Sequence, residues 1–234
     1  MLIVKVIGFL KKEISGWKFY EAVFLLGIVL FILISSFFTE DNVIATCSAI
    51  FGILYTFIAG KGKIICYLFG LLGSSCYAWL SAKNLLYGNM LLYLLYYIPM
   101  EILGIFRWRK HLNNNSIEKI RLSKKERLKY LLIAIFGSTL MVLLLRVFFN
   151  SDQAIDGITT FLSILGMLFT VKRCIEQWII WIIVNGLSFI MWLNLVINGT
   201  KAYSTVIMWG VYFILAIYFY VIWEKEIDNK KSRL

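Results

Sequence analysis

Eight apolar runs, each close to twenty residues and parted by only a few polar ones, recur along this chain and make lipid the solvent in which it folds. They cover residues 20–38, 43–60, 64–82, 88–106, 130–149, 155–171, 175–196 and 205–223, and about 20 apolar residues in a helix cross a hydrocarbon core about 30 Å thick. Hydrocarbon offers the backbone no hydrogen bonds, so such spans are helices. The composition agrees: 61% of the 234 residues are hydrophobic and 16% charged, with a single proline, where soluble domains carry about 45–50% and about 25%. The expected fold class is an all-α polytopic membrane protein with eight transmembrane helices.

A net charge of +11 would suit nucleic acid in a soluble protein. Here Lys and Arg fall in short segments between spans, where they act as topology signals, and no nucleic-acid partner is expected. Lys61, Lys63, the basic segment 107–129, Lys172, Arg173 and the tail share one side, while the acidic or neutral turns at 39–42 and 150–153 share the other. This predicts a multi-pass protein of the cell membrane with both termini cytoplasmic. Cys47, Cys66, Cys76 and Cys174 lie in or beside apolar spans without paired spacing and read as buried hydrophobes. The opening residues, an apolar run followed by Lys11 and Lys12, read as an interfacial lead-in.

The two halves of the chain resemble each other. Gly52-Ile53-Leu54-Tyr55-Thr56 lines up with Gly166-Met167-Leu168-Phe169-Thr170, and Gly73-Ser74-Ser75-Cys76 with Gly186-Leu187-Ser188-Phe189, at an offset of about 114 residues. Three spans in each half, with one helix between, give both repeats the same orientation. This parallel arrangement resembles that of the sugar-transporting SWEET proteins, in which substrate sits near mid-membrane at the interface between repeats and access alternates as the bundles rock. The expected organisation is an N-terminal segment and extra helix over 1–42, a first three-helix repeat over 43–106, a basic linker and linker helix over 107–154, a second repeat over 155–225 and a tail over 226–234.

The seventh span, EQWIIWIIVNGLSFIMWLNLV, is polar on one side. At about 100° per residue, Gln177, Trp181, Asn185, Ser188 and Trp192 lie within about 80° of one another, while Ile179, Ile183 and Ile190 cover the remainder. Pairing the halves at the offset above sets Ile64, Leu68 and Leu72 opposite Gln177, Trp181 and Asn185, so the polar stripe belongs to the second half. An amide deep in a membrane needs either a neighbouring helix or a ligand. The fourth span carries a second stripe, Tyr93, Tyr97, Glu101, Gly104 and Trp108, beside Pro99, which breaks the helical ladder. Glu101 serves either as a counter-charge to a cationic or proton-coupled ligand or as an interfacial partner of Arg107. The eighth span adds Trp209 and Tyr212.

Aromatic faces with amides suit a flat, polar ring and attract one that bears positive charge. The candidate substrate contacts are Gln177, Trp181, Asn185, Ser188, Trp192, Tyr93, Tyr97, Glu101 and Tyr212. Convergent Arg or Lys for a bare phosphate, a catalytic Ser–His pairing, a metal-ligand cluster and a cofactor motif are all missing from the sequence, so neither enzymatic activity nor a metal or cofactor is expected. A membrane-embedded ligand sensor would carry a soluble signalling domain, which the spacing of the spans does not provide.

Gln177-Trp178-Ile179-Ile180-Trp181-Ile182-Ile183-Val184-Asn185, the Tyr97-Ile98-Pro99-Met100 turn leading to Gly104 and Trp108, and the paired Trp-x-Lys endings at Trp108 and Trp223 resemble the bacterial nicotinamide riboside transporter family, the Pnu proteins. The resemblance covers about residues 44–225. It implies a SWEET-like three-plus-one-plus-three fold and facilitated diffusion of nicotinamide riboside, with a cytosolic kinase trapping the product by phosphorylation for NAD synthesis; it allows a homo-oligomer. Related members carry thiamine or riboflavin. Where the family often has an amide after the Pro-Met turn, this chain has Glu101, and nicotinamide riboside and thiamine, both cationic rings, are each compatible with a carboxylate there.

Overall fold

The computed structural model describes residues 17–39, 43–83, 87–113, 116–149, 154–198 and 203–231. The expected N-terminal lead-in and most residues of the turns between the halves' outer spans lie outside them. Over the described residues the chain is helical except for short turns and one two-stranded hairpin: α1 (Phe19–Thr39), α2 (Val43–Gly60), α3 (Cys66–Lys83), α4 (Tyr87–Leu92), a π-helical turn (Tyr93–Tyr97), α5 (Ile98–Arg109), β1 (Leu112–Asn113), β2 (Ser116–Ile117), α6 (Lys124–Phe149), α7 (Ala154–Lys172), α8 (Glu176–Ile197) and α9 (Tyr203–Lys231). Among the described residues, seven helices are long and apolar enough to cross a bilayer. The remaining expected span, α3, is helical over 18 residues but is diluted by Gly70, Gly73, Ser74 and Ser75. The protein is an all-α polytopic membrane protein.

Pro99 acts as its chemistry predicts. It has no N–H for the Leu95 carbonyl, so the ladder ahead of it slips by one residue, and the Ile98 N–H bonds to the Tyr93 carbonyl. The fourth span is therefore α4, the π-helical turn and α5 end to end.

The chain divides after Glu118 into two compact units. In the first, α1 is clipped to α2 at both ends. Buried Glu21 accepts from Lys61 Nζ at 2.5 Å and from the Lys18 backbone N–H at 2.7 Å, and the Ser36 and Thr46 hydroxyls share a hydrogen bond of 2.5 Å. Helices α2 and α3 cross at Gly73, where a Cβ would lie 3.3 Å from Phe51 Cβ, and Ser48 Oγ donates to the Gly73 carbonyl at 3.3 Å. Helix α3 also packs on α5: Tyr67 lies across Gly104 and meets Trp108 edge-on at 4.9 Å.

In the second unit, α6 seats against α7 with Phe161 filling the notch at Gly137, and α8 packs on α9 through Trp178, whose ring lies 5.5 Å from both Phe219 and Trp223. The basic linker is less loose than its composition implies. Ile120 forms a parallel bridge with Cys174, Glu176 accepts from the Leu122 N–H at 3.2 Å and from Arg127 Nε at 2.9 Å, and Arg121 pairs with Asp228 at 3.2 Å. Lys119 pairs with Glu226. These charged contacts explain why α6 starts at Lys124 and α9 runs on to Lys231, both beyond the apolar limits of their spans.

The repeat is visible in the turns. Gly62 and Arg173 both take positive φ, 68° and 64°. Gly62 N–H bonds the Ala59 carbonyl at 2.9 Å and Lys63 N–H the Ile58 carbonyl at 3.2 Å; Arg173 bonds Thr170 and Cys174 bonds Phe169, both at 3.0 Å. Both are Schellman closures. The helices that follow open alike, Cys66 N–H on the Lys63 carbonyl and Gln177 N–H on that of Cys174.

These equivalent residues are 111 apart, so the pairing of α3 with α8 expected from sequence needs correction. The partners of Gln177, Trp181 and Asn185 are Cys66, Gly70 and Ser74. Burial agrees, because Leu68 and Leu72 are 53% and 42% exposed whereas Cys66 and Ser74 are 0% and 6%. The sequence match at Gly73 and Gly186 pulled the register two residues away from the one the turns impose.

A Cβ at Gly104 would fall 2.2 Å from the Tyr67 ring, whereas one at Gly27 meets nothing within 4 Å. Tyr67 is fully buried and has nowhere to move. Gly104→Ala therefore destabilises the protein by about 1–3 kcal/mol and Gly27→Ala leaves it unchanged, as read by thermal unfolding in detergent.

Candidate functional site

Helix α8 buries the side its periodicity marks. Gln177, Asn185 and Ser188 are 1%, 3% and 3% exposed, while Ile179, Ile183 and Ile190 are 44–51% exposed on the opposite side, where lipid lies. Burial alone is unremarkable, but among the described residues no hydrogen bond reaches the Gln177 amide, the Asn185 amide or the Ser188 hydroxyl, and Gln177 Nε2 is sealed from solvent as well. An unpartnered amide in an apolar medium costs several kcal/mol. On this face Gln177 Nε2 is buried without a partner, with the buried Asn185 amide and Ser188 hydroxyl further along the same side.

Trp181 and Trp192, the aromatic members of the stripe, are half-buried. Trp181 is fixed: its indole Nε1–H donates to Thr170 Oγ1 at 3.2 Å, and its ring rests on Gly166. Tyr212 on α9 is half-buried and stands edge-on to Trp209 at 5.7 Å.

In the first unit the expected stripe lies along α3, half-buried at its tyrosines and fully buried beyond them. Tyr93 and Tyr97, on the π-helical turn, stack face to face at 4.7 Å, and Tyr77 of α3 extends the stack at 4.5 Å from Tyr93. Glu101, Gly104 and Trp108 are fully buried against α3 further along the same span. Glu101 is 2% exposed; Ser74 Oγ donates to its Oε1 at 2.7 Å, and Oε2 has no partner. Gly70 makes the room, since a Cβ there would lie 3.0 Å from Oε1 and 2.9 Å from the Tyr55 ring. The Tyr67 hydroxyl is equally buried and unpartnered. The alternative in which Glu101 pairs with Arg107 does not hold, because Arg107 lies on the exposed side of α5.

Sequence reasoning missed Thr170, Gly166, Ser74, Tyr67 and Tyr77. Gly166 and Thr170 were nonetheless in the repeat match, paired with Gly52 and Thr56, and in both halves the Thr hydroxyl bonds the Gly carbonyl, at 2.9 and 3.0 Å. In the turn ahead of α8, burial pushes the Cys174 thiol up to about 12, with the Glu176 carboxylate adding to the shift. It stays a protonated, inert thiol.

Membrane-spanning helices that bury amides, hydroxyls and aromatic rings make this a polytopic membrane protein with a polar interior, and its likeness to known proteins makes it a transporter. The chain belongs to the nicotinamide mononucleotide transporter family, whose sequence profile matches residues 42–225. It is 31% identical to a nicotinamide riboside transporter PnuC from Neisseria mucosa, over 95% of this chain and 88% of that protein. It is 29% identical to one from Haemophilus influenzae, over 94% and 96%. A crystal structure of the vitamin B3 transporter PnuC superposes with a TM-score of 0.83 at 31% identity, covering 95% of this chain and 98% of the other.

Ser74 supplies the hydrogen bond to a buried carboxylate. Ser74→Ala costs about 1–3 kcal/mol of stability. In a Glu101→Leu background, where no acceptor remains, the same change costs less than about 1 kcal/mol. A double-mutant cycle by denaturant unfolding measures the difference.

Proposed function

We propose that this protein is a uniporter that carries nicotinamide riboside into the cell by facilitated diffusion, in support of NAD synthesis. The observation that carries this reading is the set of buried, unpartnered polar groups on α8, the Gln177 and Asn185 amides and the Ser188 hydroxyl. They offer donors and acceptors for a carboxamide and ribose hydroxyls, while Trp181 and Trp192 present indole surface to a pyridinium ring, which aromatic faces attract. Tyr93, Tyr97 and Tyr212 are assigned the remaining aromatic contacts, and Glu101 supplies negative charge suited to a cationic ring. The printed names of the relatives support the substrate. Alternating access, with the three-helix sets over 43–106 and 155–225 as the rocking bodies, moves the ligand without a coupling ion.

Net import then needs a sink, and phosphorylation by a cytosolic kinase provides one by adding charge that the carrier does not accept. The distribution of Lys and Arg supports cytoplasmic termini, and a homo-oligomer is compatible with this scheme. Glu101 favours a second reading, uptake of another cationic vitamin precursor such as thiamine, or proton-coupled transport through its carboxylate.

Proteoliposomes containing the protein accumulate radiolabelled nicotinamide riboside to equilibrium, and collapsing the proton gradient leaves the rate unchanged. Asn185→Ala and Gln177→Ala each reduce the initial uptake rate about tenfold, equivalent to about 1.4 kcal/mol of lost binding. Entry of thiamine but not of nicotinamide riboside overturns the substrate and keeps the carrier; a rate that falls with the gradient overturns uniport.

A further inference from the structure

Trp181 sits in a socket cut into α7. Its Nε1–H donates to Thr170 Oγ1 at 3.2 Å, and the Thr170 hydroxyl donates in turn to the Gly166 carbonyl at 2.9 Å. A Cβ at Gly166 would lie 3.0 Å from Cε2 and Cζ2 of the same indole. Thr170 is 2% exposed, so no solvent replaces it as the acceptor. Two features one turn apart on α7 therefore hold the same edge of the ring: a hydroxyl that accepts its N–H hydrogen bond and a missing side chain that admits its carbons. The indole cannot turn about its own axis without losing the first or striking the second.

The first unit reverses the fit. In the register set by the turns, Trp181, Gly166 and Thr170 correspond to Gly70, Tyr55 and Ala59, and the Tyr55 ring lies over Gly70, where a Cβ would be 2.9 Å from it. Ring and notch have exchanged helices and Ala59 has no hydroxyl, so the indole anchor is particular to α8.

Because the anchored N–H is already spent, Trp181 has only its π-face left to offer a ligand. We propose that Thr170 is the positioning residue for Trp181, and that the anchored indole selects a flat, cationic heteroaromatic ring over the reduced, neutral form of the same ring. A cation over an indole face gains electrostatic attraction that a neutral, puckered dihydropyridine lacks. The inference rests on the reading of α8 as the substrate-facing helix.

The test compares uptake of nicotinamide riboside with that of its 1,4-dihydro form in proteoliposomes of the full chain. The wild type favours the cationic compound by about three- to tenfold in KM. Thr170→Val, which keeps the shape and removes the acceptor, raises KM for the cationic compound about three- to tenfold and for the dihydro compound by less than about twofold; Thr170→Ser restores the preference. Gly166→Ala, which displaces the ring without touching the hydroxyl, reproduces the loss of preference and decides the matter should Thr170→Val not fold. A Thr170→Val protein with wild-type preference, or one in which both KM values rise together, overturns the proposal. Trp181→Phe separates the two readings: if it transports with wild-type KM, the assignment of α8 fails, whereas an impaired Trp181→Phe beside an unaffected Thr170→Val sinks only the anchoring role.

Discussion

Helices in lipid gain nothing from hiding apolar surface, since the solvent is as apolar as they are; their association depends on close approach and dense contact. This protein obtains both by setting an aromatic ring into the notch left by a glycine on the facing helix. Tyr67 fills the notch at Gly104, Phe161 that at Gly137 and Trp181 that at Gly166, while α8 and α9 exchange the device, Phe213 on Gly186 and Phe189 on Gly210. Each pairing lays a ring where a side chain on the facing helix would otherwise stand. Two of the interior polar contacts follow: Glu101 reaches Ser74 where α5 meets α3 near Gly104, and Trp181 reaches Thr170 where α8 meets α7 at Gly166.

The helices, their order and the duplication were legible in the sequence because each follows from a local rule. Span length reads off apolar runs, the break in the fourth span's ladder follows from Pro99, and the buried side of α8 follows from a period of 3.6 residues. What failed was the register between repeats. Gly73 and Gly186 look alike in sequence, yet register is set by the left-handed residues Gly62 and Arg173 at the turns, and an arginine in that conformation carries no sequence signal of its role. The linker was likewise opaque, because Ile120 docks through backbone groups and those are the same at every residue.

The corrected register changes what the asymmetry between halves means. Counted from the turns, Ser74 and Asn185 occupy the same position, near the middle of the central helix of each repeat. Trp108 and Trp223 also correspond, each fully buried and each meeting its unit's ring, Tyr67 or Trp178, edge-on. Counted back from those tryptophans, the position of Glu101 in the second unit is Ala216, itself fully buried. In the first unit, then, the polar group on the central helix is answered from within, by the carboxylate on α5. In the second the answering side chain is a methyl group, and the larger amide of Asn185 is left without a partner. A polar position shared by both repeats is closed in one and open in the other. The Ser74 hydroxyl is satisfied by Glu101 Oε1 while Glu101 Oε2 stays unpartnered, so the duplication keeps the polar position and changes what answers it.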